Sequence, residues 1–240
     1  LEAGYRPLRF MDHCAGDSPT AFVVLRHDVD HRPEAALRMA QLEHTLGVQA
    51  TYNFRLKDFE RNAGLLHELL ALGHETGYHY EELAHCRGDM SRAQALFVEN
   101  LRRAREFAPV HTVAMHGSPF SRFSNLDIWK TMDYRDFGLL GEPYLSLDYQ
   151  YVLYLTDTGR LWNDRRYNIR DRVPQADTRC WPSTEALMRE IRRGGISRQV
   201  MLNVHPGRWN PPGARWFYEW GVQWMKNPVK YLIRPWMTGA

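Results

Sequence analysis

Five short runs of apolar, β-branched and aromatic residues recur along the chain: AFVVL (21–25), VQATYNF (48–54), HTVAM (111–115), YVLYL (151–155) and QVMLNV (199–204). None alternates cleanly with polar residues, which predicts strands covered on both faces. Between them, RPEAALRMAQLEHTLG (32–47), RNAGLLHELLALG (61–73), SRAQALFVENLRRAREF (91–107) and STEALMREIRRGG (183–195) place apolar positions at helical intervals. Pro33 suits a first helical turn, Ser183 or Thr184 an N-cap, and Gly47, Gly73 and Gly194 stand where helices end. GHETGYHYEEL (73–83) follows a helix, where a further short strand is due. Strands that alternate with helices predict an α/β protein with a parallel sheet.

The 240 residues, 44% hydrophobic and 12% aromatic, suffice for a substantial core in a single domain spanning 1–240. The stretch 117–182, rich in aromatics, Gly and Pro, reads as loops and short elements inserted into that domain. Near the end, 214–237 sets Trp216, Trp220 and Trp224 at i, i+4 and i+8, the spacing of one helical stripe. A helix packed on the domain is the plain expectation. Lys226, Lys230 and Arg234 add a second, a peripheral contact at the inner membrane or a dimer contact through the stripe.

The 31 basic and 28 acidic residues leave a formal charge of +3, and the arginines are scattered, which argues against a nucleic-acid partner. Cys14, Cys86 and Cys180 are odd in number and far apart, so neither a disulfide framework nor a cysteine-rich zinc site is expected. No run approaches the roughly 18 apolar residues of a membrane span, and LEAGYRPLRF lacks the pattern of a signal peptide. A cytoplasmic location is the default.

Chemistry gathers at the ends of the predicted strands. FVVL leads into Arg26-His27-Asp28-Val29-Asp30, VAM into His116-Gly117-Ser118, LYL into Thr156-Asp157-Thr158-Gly159-Arg160, and MLNV into His205, while the 73–83 stretch supplies His79. A (β/α) barrel collects its active site at this edge. In an extended backbone Arg26, Asp28 and Asp30 share one face and His27 and His31 the other. Two carboxylates facing one space repel unless a cation or a shared proton compensates, and a divalent metal does so directly. A helix cap, or an ion pair with Arg26 or Arg32, is the plainer alternative. Three strand-end histidines beside the aspartates favour a metal site. Arg160, Trp162, Arg208 and Trp209 are candidates for substrate binding, as guanidinium groups for anions and rings for a sugar face. Ser118 in HGS lacks the G-x-S-x-G elbow of a nucleophile.

In order and spacing these motifs, LRHDVD, LGHETGYH and LNVH, resemble the polysaccharide deacetylases of the NodB-homology, carbohydrate esterase type over residues 20–207. The resemblance implies a distorted (β/α) barrel of about seven parallel strands and a metal-dependent hydrolase. Such an enzyme removes an N-acyl (acetyl) group from an amino sugar in bacterial surface polysaccharide assembly, O-antigen or capsule. The substrate would be a carbohydrate or a nucleotide- or lipid-linked sugar. The resemblance makes Asp28 the catalytic base, Asp30 and His79 metal ligands, and His205 the acid. The family's second metal histidine, four residues after the first, is missing, since position 83 is Leu. His116, from the neighbouring strand end, is the expected replacement, with Glu82 and His85 in reserve. One aspartate and two histidines suit zinc, and tolerate nickel, cobalt, manganese or iron. A hydrolase of another C–N bond and a catalytically silent glycan-binding protein are the competing readings.

Overall fold

The computed structural model describes residues 2–118, 120–164, 166, 168, 170–209, 218, 221–222, 225–229 and 231. Seven strands, β1 (Arg6–Leu8), β2 (Phe22–Val29), β3 (Thr51–Phe54), β4 (Glu75–Tyr80), β5 (Val113–Met115), β6 (Leu153–Thr156) and β7 (Gln199–Val204), form one parallel sheet. Its order is β5-β4-β3-β2-β7-β6, with β1 on β2. The sheet curls as an incomplete barrel, the distorted (β/α) architecture expected. Among the described residues β5 and β6 do not pair with each other, and 116–152 fills the interval between them, tied in by the bridge Thr112–Gly141.

The helices α1 (Phe10–Cys14), α2 (Pro33–Thr45), α3 (Leu56–Arg61), α4 (Ala63–Ala71), α5 (Glu82–His85), α6 (Met90–Arg105), α7 (Pro143–Ser146) and α8 (Thr184–Arg192) connect the strands. Pro33 does open α2, and the Ser183 hydroxyl caps α8 by accepting from the Ala186 N–H. The stretch 61–73 does not hold one helix: Asn62, at φ −128° and ψ 33°, separates α3 from α4.

Side-chain parity along β2 divides the core. Phe22 and Val24 face inward with Met201 and Tyr154, while Val23 and Leu25 face outward with Val200, Leu202 and Val204. The larger outer cluster packs Tyr52, Phe54 and Tyr78 against Leu66, Leu69, Phe97 and Leu101 of the helices. Apolar packing therefore fills the N-terminal end of the barrel, and the C-terminal strand ends are left to polar groups. Cys14, Cys86 and Cys180 are all free thiols. No helix among the described residues is long and apolar enough to cross a membrane. Trp216, Trp220 and Trp224 lie outside the described residues.

Candidate metal centre

The inward face of β2 ends in charge. Arg26 and Asp28, both almost fully buried, form a bidentate pair, Nε to Oδ1 at 2.9 Å and Nη2 to Oδ2 at 2.8 Å. The registers Asp28–Asn53 and Arg26–Asn203 bring an amide from each flanking strand, and Asn53 Nδ2 donates to Oδ1 at 3.1 Å and Asn203 Nδ2 to Oδ2 at 3.0 Å. Burial presses the Asp28 carboxyl upward, yet Arg26, then His79 and His205, outweigh it and hold the group well below the usual carboxylate range. The plainer alternative, an ion pair with Arg26, is thus realised at Asp28. It does not touch Asp30.

One residue past the strand, Asp30 Oδ1 lies 3.5 Å from His79 Nε2 and 3.4 Å from His116 Nε2, and Oδ2 lies 3.9 Å from His205 Nε2. His79 is fixed from behind. Its Nδ1 stands 2.9 Å from the Ala114 carbonyl, which only accepts, so Nδ1 is the donor there and Nε2 is left facing Asp30. His116 repeats the device with a carboxylate, its Nδ1 being 3.0 Å from Glu81 Oε2. Burial lowers the His116 pKa, but Glu81 and Asp30 more than reverse this and raise it.

Asp30, His79 and His116 each present one donor atom, and these atoms lie within 4.8 Å of one another. Asp30 Oδ1 is buried without a hydrogen-bond partner, an expensive condition that a cation relieves. One carboxylate oxygen and two imidazole nitrogens are an ordinary donor set for zinc and its neighbours. The residues present fit a divalent ion.

On the opposite strand end, Asp157 receives His205 Nδ1 at 2.6 Å, the His205 backbone N–H at 3.2 Å, Arg208 Nη1 at 2.7 Å and Trp209 Nε1 at 2.8 Å. Burial presses this carboxyl upward, while Arg208 and His205 outweigh it and lower its pKa to about 2. With Nδ1 committed to Asp157, His205 keeps Nε2 for the cavity. The cavity, about 80 Å³, is lined by Asp28, Asp30, His79, His116 and His205 together with Tyr144, Arg170, Asp171 and Arg208.

The structure thus gathers the five residues proposed for catalysis and metal binding. The reserves stay apart. Glu82 is buried and taken by Tyr78, Asn100 and the Glu81 N–H, and His85 borders a separate cavity beyond His79.

The substrate-binding candidates need correction. Trp162 does not border the cavity: it pairs with Trp181, donates from Nε1 to Thr184 Oγ1 and packs with α8 on the outer face. Trp209 commits its indole N–H to Asp157 and lays its ring by Trp162, centroids 6.0 Å apart, along an outer apolar groove. Arg160, at φ 63°, is not among the described residues lining the cavity. Arg208 does line it, with its guanidinium bound to Asp157.

Two carboxylates escaped the sequence reading. Asp157 was visible at a strand end, where its pairing with His205 was not. Asp171 stands in an irregular segment and accepts from Tyr144, Tyr154, Thr156 and Thr158, a convergence with no sequence period to reveal it.

No family model and no curated protein matches the chain. Solved structures do. A Mycobacterium smegmatis protein assigned as a polysaccharide deacetylase shares 15% identity over 90% of each chain, with a TM-score of 0.51. A family 4 carbohydrate esterase from Streptomyces lividans, in complex with acetate, covers 89% of this chain and 91% of its own at 13% identity and a TM-score of 0.46. A family 4 pseudoenzyme from Bacillus anthracis gives 15% identity over 87% of this chain and a TM-score of 0.47, and the present chain spans about 60% of its length. The chain has the fold of the Mycobacterium smegmatis polysaccharide deacetylase.

Proposed function

We propose that this chain is a zinc-dependent hydrolase that removes the N-acetyl group of an amino sugar, in the assembly of a bacterial surface polysaccharide. The observation that carries the reading is the convergence of Asp30, His79 and His116 within 4.8 Å, beside Asp28 and His205, at the C-terminal edge of a parallel sheet. The fold shared with the Mycobacterium smegmatis deacetylase supports it. The substrate is a free, nucleotide-linked or lipid-linked sugar.

Asp30, His79 and His116 would hold the ion, which supplies Lewis-acid polarisation of the acyl carbonyl and a lowered pKa for the attacking water. The chain's own residues do the rest. Asp28, 4.0 Å from His79 Nε2, is placed to take the water's proton, and Arg26, Asn53 and Asn203 fix its orientation. Four donors hold Asp28 ionised and weaken it as a base in the resting site. His205 carries a proton on Nε2 to the departing amine, which leaves poorly without one, and Asp157 stabilises the imidazolium this requires. The cavity, about 80 Å³ and open to the surface, places the acetyl group against Asp28, Asp30 and His205.

The same engagement of Asp28 favours a second reading, a catalytically silent glycan-binding protein. One experiment separates them. Wild type, Asp30→Ala, His116→Ala and Asp28→Asn are reloaded with zinc, dialysed alike and assayed for metal per chain and for acetate released from N-acetylated sugars. The deacetylase reading expects near one equivalent in wild type, loss of metal in the first two variants, and in Asp28→Asn full metal with turnover reduced at least about a hundredfold. Metal without acetate release, on sugars that bind, favours the silent reading, and a wild type that stays empty removes the metal site.

A further inference from the structure

The arginines around the cavity are not equally committed. Arg26 is held by Asp28 at 2.8 Å and Arg208 by Asp157 at 2.7 Å. Arg55, at the end of β3, donates to the Asp30 carbonyl and lies 3.8 Å from Glu81. Arg170 differs. It lines the cavity, has no carboxylate within 4.0 Å among the described residues, and spends one donor on a neutral acceptor, Nη2 to the Ser121 carbonyl at 2.8 Å. Its Nε is buried with no hydrogen-bond partner. The adjacent Asp171 does not neutralise it, because the Asp171 carboxylate is turned to Tyr144, Tyr154, Thr156 and Thr158.

Position gives this cation a role. A Cβ built on Gly117 would lie 3.5 Å from Arg170 Cβ, so Arg170 packs against the backbone directly after His116. A guanidinium is a rigid fork suited to two oxygens of one anion, and the desolvation of a half-buried, unpaired one is repaid when such an anion arrives. Arg26 and Arg208, which line or border the same cavity, already have their anions, and Arg105, which likewise bonds only carbonyls, lies away from it. Arg170 faces the space where a substrate must sit.

We propose that Arg170 sets the specificity of the cavity, and that the N-acetylated sugar it admits carries a carboxylate or a phosphate near the acetamido group. The proposal rests on the deacetylase reading for the acetamido group, and on Arg170 alone for the anion.

The test is calorimetric titration of zinc-loaded wild type, Arg170→Gln and Arg170→Lys with N-acetylglucosamine, N-acetylmuramic acid and N-acetylglucosamine 1-phosphate. Wild type binds one of the two anionic sugars at least tenfold tighter than the neutral one, and which of them identifies the anion as carboxylate or phosphate. Arg170→Gln loses at least tenfold on that sugar and far less on the neutral one. Arg170→Lys, a point charge without the fork, falls between and guards against a misfolded Gln variant. Equal affinity for all three sugars in wild type, or equal losses on all three in the variants, overturns the proposal. Binding is read without hydrolysis. An anion preference with no acetate released therefore sinks the deacetylase reading and leaves Arg170 standing, whereas acetate release without anion preference does the reverse.

Discussion

Asp157 shows how much one buried carboxylate carries. Its pKa is about 2, against about 3.8 for an unperturbed Asp, because four donors close on it. A carboxyl depressed in the folded state adds stability that is fully present above its unfolded pKa and is lost as pH falls through the folded one. A shift of this size corresponds to about 2 kcal/mol. Asp157 alone should therefore account for about that much of the stability that wild type loses in urea unfolding between pH 4 and pH 2, and Asp157→Asn should flatten this limb by that share. Asn would also turn an N–H toward the N–H donors of Arg208 or Trp209, freeing His205, so turnover should fall at least about tenfold. At this scale the sequence was legible where parity decides. Arg26 and Asp28 share the inner face, and His27 on the outer face binds Glu43 at 2.7 Å, as a period of two requires. Pairings such as Asp157 with His205, 48 residues apart, follow no period.

Strands position the site through register, and Gly77 on β4 is where that register leaves least room. It is paired with Asn53, and a Cβ there would come within 2.2 Å of Asn53 Oδ1. Asn53 in turn donates to Asp28, so its side chain cannot swing away without releasing that carboxylate. Gly77→Ala should cost about 1–3 kcal/mol, the usual toll of overpacking, measurable by urea unfolding, with a loss of turnover at unchanged zinc content. The long elements were readable from apolar spacing: QVMLNV is β7 to the residue, α2 and α8 lie within the stretches proposed, and α6 begins one residue before its own. The three-residue β1 was not, since Arg6-Pro7-Leu8 carries no apolar run and becomes a strand only by pairing with Phe22–Val24. The division of 61–73 was likewise hidden, because the break at Asn62 is a matter of backbone conformation rather than composition.

For the whole molecule, the candidate centre links ion binding to folding. Its donors come from the ends of β2, β4 and β5, which converge only in the folded sheet. An ion that binds the native state alone at 100 times its Kd adds about 2.7 kcal/mol, or roughly 5–10 °C in Tm for a chain of this size. Zinc should raise the Tm of wild type in scanning calorimetry, EDTA should reverse the rise, and Asp30→Ala should show neither.

The sequence by itself determined the α/β class, the parallel strands and the identity of the strand ends that carry chemistry, because burial and period are local properties that side chains record in order. It also placed Leu83 where the resemblance implies a histidine, which pointed to His116. Only the tertiary structure decided that His116 meets Asp30 and His79, that Asp157 holds His205, and that Trp162 turns to the outer face. It alone set Arg170 in the cavity wall without a carboxylate partner, beside the paired Arg26 and Arg208. These facts depend on strand register and on contacts between residues far apart in sequence, and neither is written in the order of residues until the sheet has formed.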